Sequence, residues 1–182
     1  RPPCRFAYSR HMDQTCLMAG AGYTGLRLAR RLQPRWRVIA LARSEGAATR
    51  LSAAGLQALR ADLDGKLEPG ALSVADGAAI AYLVPPTEHA DGDPRLAGFF
   101  DALGEALPSV FLYVSTTGVY GDTGGEVVTE SSPVTPSSDR GRRRHPDRDR
   151  GSRELRRHVR ARQEERCRCD GPAHGPAEGE NG

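Results

Sequence analysis

Residues 15–29 read TCLMAGAGYTGLRLA, and this stretch decides the fold. A short apolar run ends in glycines at positions 20, 22 and 25, and a helical pattern of apolar residues begins at once. The spacing G-x-G-x-x-G is typical of a turn that binds the pyrophosphate of a dinucleotide. We therefore expect a β-strand, a phosphate-binding turn and an α-helix, in that order.

Each glycine of this turn has its own predicted role. Gly20 allows the sharp turn off the strand, Gly22 leaves room for a pyrophosphate against the backbone, and Gly25 lets the helix pack closely on the sheet. The N–H groups at the helix N-terminus, around Tyr23 and Thr24, then face the phosphates with a partial positive charge. The alternative is a glycine-rich turn with a purely structural role. A second apolar strand about 20 residues further on favours the dinucleotide.

The residues after the second strand bear on which dinucleotide binds. Residues 36–42, WRVIALA, form a near-continuous apolar run that suits a parallel strand buried on both faces. NAD sites usually have Asp or Glu about 20 residues past the glycines, bound to the ribose 2′-OH. Arg43 and Ser44 stand there instead, and a guanidinium with a hydroxyl suits a 2′-phosphate. The sequence favours NADP over NAD, unless Arg43 is an ordinary surface residue.

The remaining apolar segments repeat the same alternation of strands and helices. Further strands are predicted at residues 56–61, 78–84 and 110–114, and further helices at residues 47–54 and 94–107. Pro108 is expected to end the last of these helices. Repeated strand–helix–strand units predict the α/β class, with a Rossmann-type, doubly wound parallel sheet.

Two residues at strand ends are expected beside the cofactor, because ligands of open α/β sheets bind outside the carboxyl ends of the strands. Asp62 follows the third strand and can accept a hydrogen bond from the adenine amino group. It can equally cap the next turn. Pro85 ends the fourth strand and is predicted to line the same cleft.

Hydroxyl side chains cluster after the fifth strand, where residues 115–122 read STTGVYGD. At this edge of the sheet a hydroxyl can hydrogen-bond a substrate carbonyl or alcohol during hydride transfer. Capping of a loop by Ser and Thr is the structural alternative.

Three motifs carry a resemblance to a known family: GAGYTG at residues 20–25, VSTTGVYGD at residues 114–122, and E-x-x-P-x-x-P-x-S at residues 130–138. In this order they resemble the extended short-chain dehydrogenase/reductase family of NAD(P)-dependent sugar-nucleotide epimerases and dehydratases, closest to an atypical bacterial branch. The resemblance covers roughly residues 13–144. It implies a small-molecule substrate such as a nucleotide sugar. It places Thr116 at the family's catalytic Ser or Thr and makes Tyr120 a structural residue.

The family then has Tyr-x-x-x-Lys, in which the Tyr transfers a proton and the Lys lowers its pKa and binds the nicotinamide ribose. Arg140 stands at the Tyr position and Arg144 at the Lys position. Arg144 can bind the ribose, but the pKa of Arg140 is far too high for a general acid. No tyrosine follows Tyr120. Two hypotheses remain: an NADP- (or NAD-) dependent epimerase/dehydratase-like enzyme, or a nucleotide-binding module without chemistry.

The basic character of the chain lies in its C-terminal segment, since residues 139–182 hold 13 Lys and Arg against 9 Asp and Glu, a net charge of +4, whereas residues 1–138 have a net charge of −1. From residue 145 onward Leu155 and Val159 are the only large aliphatic residues. We therefore expect an Arg-rich, mostly disordered tail, with a loose helix at about residues 152–166. A truncated or frame-shifted gene product, a native disordered tail and a nucleic-acid arm are the three explanations. Interspersed acidic residues and missing aromatic residues make nucleic acid the weakest of them.

The predicted organisation has three parts: a disordered extension at residues 1–12, a nucleotide-binding domain at residues 13–138 that is incomplete at its C-terminal side, and the tail at residues 139–182. A cytoplasmic protein is expected, because the chain has neither an apolar run of about 18 residues nor a visible secretory signal. Cys16 is interpreted as a buried, inert thiol. Cys167, Cys169 and His174 match no usual zinc pattern, so no metal is expected. The sequence does not indicate an oligomeric state.

Overall fold

Five parallel strands form one sheet in the order β3-β2-β1-β4-β5 in a computed structural model that describes residues 14–87 and 93–144. The strands are β1 Thr15–Ala19, β2 Arg37–Ala42, β3 Gln57–Arg60, β4 Ala79–Tyr82 and β5 Val110–Tyr113. The helices are α1 Tyr23–Leu32, α2 Glu45–Ala53, α3 Pro94–Leu103 and α4 Asp139–Arg144. The predicted α/β class and Rossmann-type parallel sheet are confirmed.

The central position of β1 follows from its apolar sequence. Leu17 lies opposite Ile39 of β2 on one side and opposite Ile80 of β4 on the other. All residues of 16–19 and 38–42 are buried, because helices cover both faces of these strands. This is the burial that a continuous apolar run predicts for an inner parallel strand.

Alternate residues of the strands enter two separate cores. On one face Leu17, Ile80 and Tyr82 pack against Phe99 and its neighbours on α3. The Tyr82 and Phe99 rings meet edge to face, with centroids 5.3 Å apart. On the other face Met18 and its neighbours pack against α1 and α2. The sheet is therefore wound with helices on both sides, and its carboxyl edge remains open for a site.

Helix α3 ends earlier than the sequence predicts. It stops at Leu103 instead of near residue 107, because Gly104 has a positive φ of 57°. A Cβ at Gly104 would lie 2.8 Å from the amide nitrogen of Gly70, so a packed loop occupies the space that the next helical turn would need. Leu107 instead donates its N–H to Asp76 Oδ1, at 3.0 Å.

Strand β5 is half covered among the described residues. Phe111 and Tyr113 pack on the α3 side, whereas Val110 and Leu112 on the opposite side are 59% and 50% exposed. The first residues of the predicted tail form α4, which packs on the turn after β5. The predicted disordered regions at residues 1–12 and beyond residue 144, with Cys167 and Cys169, lie outside the described residues. In the described part of the chain, no helix has the length and apolar character needed to cross a membrane.

Candidate functional site

The turn between β1 and α1 has the conformation that its glycines predict. Gly20 has a φ of 94°, and a Cβ there would lie 2.8 Å from the carbonyl carbon of Leu83, just past β4. A Cβ on Gly25 would overlap the Gly20 carbonyl oxygen, which would lie closer than real Cβ contacts allow. The helix can therefore begin directly against the end of the sheet only because both residues lack a side chain.

The N-terminus of α1 is open at Gly22. A Cβ at Gly22 would meet no atom within 4 Å, so an exposed space lies beside this N-cap residue. No side chain caps the helix, and its first turn has no acidic residue. The partial positive charge of the helix N-terminus is therefore uncompensated by the protein, which suits an anion.

The side chains of the two residues that follow Gly22 are exposed. Tyr23 is 75% exposed, and the Arg27 guanidinium stacks on its ring at 3.4 Å from the centroid. Thr24 is also exposed. The backbone N–H groups of Tyr23 and Thr24 lie in the first turn of α1, where helical N–H groups have no partner within the helix.

A cleft of about 240 Å³ opens at the carboxyl edge of the sheet. This volume is smaller than the roughly 300–1,000 Å³ of most complete small-molecule sites, so the cleft suits one portion of a larger ligand. Its apolar walls come from the ends of β2, β3 and β4, at Leu41, Ala61, Leu63 and Val84. Its polar groups are Arg43, Asp62, Asp64 and Arg95.

An ion-pair network forms the outer wall of the cleft. Arg95 on α3 binds Asp64 through two hydrogen bonds, from Nε to Oδ1 at 2.6 Å and from Nη2 to Oδ2 at 2.9 Å. Its Nη1 donates to the Pro85 carbonyl oxygen at 3.1 Å. Arg95 thus joins the loop after β3 to the loop after β4. Its hydrogen bond with Asp64 lowers the pKa of that carboxyl, and the nearby charge of Arg43 adds to this effect.

Arg43 is the more exposed of the two cations in the cleft. Its Nη1 lies 3.8 Å from Asp64 Oδ2, and its side chain is 73% exposed. Ser44 is the N-cap of α2, where its Oγ accepts a hydrogen bond from the Ala47 N–H at 3.2 Å. The Ser44 hydroxyl can still donate its own hydrogen, since a hydroxyl is both donor and acceptor.

Asp62 has the capping role that was one of its two predicted alternatives, and it also lies in the cleft. Asp62 Oδ1 accepts a hydrogen bond from the Asp64 N–H at 3.0 Å, so this carboxylate does cap the turn after β3. The same residue lines the cleft. A carboxylate has two oxygens, so the capping role does not prevent a second hydrogen bond to a ligand.

Thr116 lies in the loop after β5, at the same edge of the sheet. Its Oγ1 accepts a hydrogen bond from the Gly118 N–H at 3.3 Å, which fixes the side chain over the short 3₁₀ turn Thr117–Tyr120. Helix α4 packs on this turn so closely that a Cβ on Gly141 would collide with the Gly118 carbonyl oxygen. Arg140 is exposed on α4. Arg144 is the last residue of α4, and the predicted ribose contact of its side chain lies outside what the structure describes.

The cleft collects Gly20, Arg43, Asp62 and Pro85 from the predicted cofactor residues. Six other predicted residues, whose placement the structure describes, do not line it: Gly22, Tyr23, Thr24, Gly25, Ser44 and Thr116. Sequence reasoning missed Asp64 and Arg95, which pair across 31 positions of the chain. The second carboxylate in the sequence Asp62-Leu63-Asp64 was the available signal for Asp64. Nothing local marks Arg95, since its place depends on how α3 packs.

Residues 14–87 and 93–144 contain no group of three or more His, Cys, Asp or Glu side chains that could hold a metal ion. Cys16 is a free, buried thiol within β1, and its burial raises its pKa.

The strand order, the glycine turn at the central strand and the cleft beside it define an α/β protein with a Rossmann-like fold. No family model matches the sequence, and no curated protein matches it. Several solved structures are similar to this chain, and two of them are informative. One, a conserved protein of unknown function from Silicibacter pomeroyi, is 35% identical over 72% of this chain and 45% of its own, with a TM-score of 0.58.

The other solved structure is the UDP-Glc/GlcNAc 4-epimerase from the human pathogen Campylobacter jejuni. It is 22% identical over 83% of this chain and 50% of its own length, with a TM-score of 0.61. At this identity the likeness shows the fold alone. The chain spans about half the length of each of these two solved structures.

Proposed function

We propose that this protein binds a nicotinamide dinucleotide across the carboxyl edge of its sheet, with NADP preferred to NAD. The observation that carries the proposal is the open N-terminus of α1 at Gly22, with neither a cap nor an acidic side chain, next to a cleft that contains Arg43. An anion-accepting helix end beside a partly apolar cleft suits a ligand in which a pyrophosphate joins two nucleosides.

In this proposal the pyrophosphate lies against Gly22 and accepts hydrogen bonds from backbone N–H groups at the start of α1. The adenosine enters the cleft, where Leu41 and Val84 contact the base and Asp62 accepts from its amino group. The 2′-phosphate of NADP binds the Arg43 guanidinium and the Ser44 hydroxyl. Pro85 closes the cleft, and Arg144 is the proposed contact for the second ribose.

The wider proposal is an enzyme of the epimerase/dehydratase type that acts on a small molecule such as a nucleotide sugar. It is supported by the family resemblance of the three motifs and by the shared fold with a UDP-Glc/GlcNAc 4-epimerase. A bound nicotinamide would supply hydride transfer. Thr116 would donate its hydroxyl hydrogen to a substrate oxygen, because the Gly118 N–H already holds its Oγ1 in one orientation.

The second candidate is a nucleotide-binding module without chemistry. The position of Arg140 favours it: this residue stands where the resemblance implies the catalytic Tyr, and a guanidinium does not release a proton near neutral pH. In such a module the bound cofactor would serve stability or sensing.

Binding can be tested by calorimetric titration of the purified chain with NADPH and with NADH. Arg43→Gln should weaken NADPH binding about tenfold and leave the NADH affinity nearly unchanged. The energy of an exposed guanidinium–phosphate contact lies at the low end of the range for charged hydrogen bonds. Arg35→Gln removes an equal charge from an exposed turn and is the matched control. Failure of the wild-type chain to bind either dinucleotide would refute the proposal.

Turnover separates the two candidates. The enzyme hypothesis expects conversion of a UDP-sugar or of a carbonyl substrate, and Thr116→Val should abolish this conversion while NADPH affinity stays at the wild-type value. Tight NADPH binding without conversion of UDP-sugars or carbonyl substrates supports the module. The readouts are product chromatography and the absorbance of the reduced nicotinamide.

A further inference from the structure

One carboxylate in the cleft lies between the two guanidinium groups. Asp64 is bound by Arg95 on one side and lies 3.8 Å from Arg43 on the other. We propose that Asp64, held in position by Arg95, determines dinucleotide specificity by opposing a 2′-phosphate and thereby limiting the preference for NADP. This inference rests on the proposed dinucleotide binding and adds a residue that acts against the Arg43 contact.

The position of Asp64 is fixed more firmly than that of Arg43. Both of its oxygens are engaged by Arg95, whose side chain is only 21% exposed and also donates to the Pro85 carbonyl. The Asp64 side chain cannot turn away from an incoming anion without breaking two charged hydrogen bonds. Arg43, which is 73% exposed, has room to rearrange. A phosphate must therefore bind Arg43 with Asp64 still close by.

The charges of the cleft balance before a ligand arrives. Its ionisable groups are the guanidiniums of Arg43 and Arg95 and the carboxylates of Asp62 and Asp64. The pKa of Asp64 is lowered by its hydrogen bond with Arg95, so this carboxylate is charged at neutral pH. A 2′-phosphate thus gains the Arg43 contact but meets repulsion from Asp64. A ribose 2′-OH meets no such repulsion, and a carboxylate oxygen can accept its hydrogen.

Asp64→Asn tests this inference, because it removes the negative charge and keeps the size of the side chain. The ratio of the NADH dissociation constant to the NADPH dissociation constant should rise about tenfold, the scale of a phosphate–carboxylate repulsion across several ångströms near a protein surface. Asp101→Asn removes an exposed carboxylate from α3 outside the cleft and should leave the ratio unchanged.

A second variant, Asp64→Ser, removes the same charge with a smaller side chain. It replaces Asp64→Asn in the binding assay if Asp64→Asn does not fold. NADH binding by each variant shows that its cleft is intact. An unchanged ratio in both variants, with both dinucleotides still bound by the wild type, overturns the role of Asp64 and leaves the proposed function standing. Absence of binding of either dinucleotide to the wild type overturns the proposed function itself.

Discussion

Two glycines of the first turn lie three residues apart but should respond to substitution in opposite ways. We predict that Gly22→Ser preserves stability and weakens dinucleotide binding, whereas Gly25→Ala destabilises the fold itself. The difference follows from what a side chain would meet. At Gly22 nothing lies within 4 Å, whereas at Gly25 a Cβ would overlap the Gly20 carbonyl oxygen and lie 3.3 Å from Met18 Sδ.

The expected magnitudes follow from these contacts. Ala is preferred to Gly inside a helix by roughly 0.5–1 kcal/mol, but overpacking against a backbone atom costs about 1–3 kcal/mol. Gly25→Ala should therefore lower the free energy of unfolding by about 1–2 kcal/mol. Gly22 is the N-cap of α1, a position where Ser is preferred to Gly by a few tenths of a kcal/mol. Gly22→Ser should therefore leave stability equal or slightly higher.

The NADPH affinity of Gly22→Ser should fall at least tenfold. The new hydroxyl occupies the space for the pyrophosphate and accepts hydrogen bonds from the same N–H groups. Each lost hydrogen bond to a charged group is worth about 1.5–3 kcal/mol. The assays are urea unfolding and calorimetric titration with NADPH. Gly98→Ala, inside α3 and with no atom within 4 Å, is the control, expected to stabilise the fold and bind normally. Wild-type NADPH affinity in Gly22→Ser would refute the placement of the phosphates at α1.

Two further predictions concern stability. Phe99→Ala should lower the free energy of unfolding by about 3–5 kcal/mol in urea, because Phe99 is fully buried against the Tyr82 ring; a loss below 1 kcal/mol would contradict the α3 packing. The hydrogen bond with Arg95 lowers the pKa of Asp64 in the folded protein. The pair therefore stabilises the fold at pH values above the unfolded pKa of about 3.9, and this stabilisation is lost as the pH falls through the folded pKa. Asp64→Asn should therefore cost up to about 1 kcal/mol at neutral pH, a small value because the carboxylate is 40% exposed, and progressively less below about pH 4 in thermal unfolding. A cost that does not shrink in acid would exclude the ion pair as its source.

The elements that the sequence located correctly are those whose signals are local. An apolar run buried on both faces marks β2, and three glycines at fixed spacing mark the turn before α1. These signals are the pattern of apolar residues along the strand and the missing side chains of the glycines. Both are set by a few neighbouring residues, so distant residues do not alter them. The conformations of Gly20 and Gly25 were predictable for this reason.

The errors and omissions arise where a distant segment decides the outcome. The sequence places the end of α3 near residue 107, but the loop at Gly70 occupies the space beside Gly104 and ends the helix sooner. Arg95 has no local mark as a site residue, and its pairing with Asp64 exists only because the first turn of α3 lies beside the loop that follows β3.

The sequence by itself determined the order of strands and helices and the position of the glycine turn, because hydrophobic periodicity and glycine spacing act over a few residues. Only the tertiary structure decided which charges share the cleft. Parallel strands bring Arg43 and Asp64 together at their carboxyl edge, and the packing of α3 adds Arg95, so the three become neighbours although more than 50 positions separate the first from the last. The electrostatic balance of that cleft is a property of the folded sheet, since no single segment contains it.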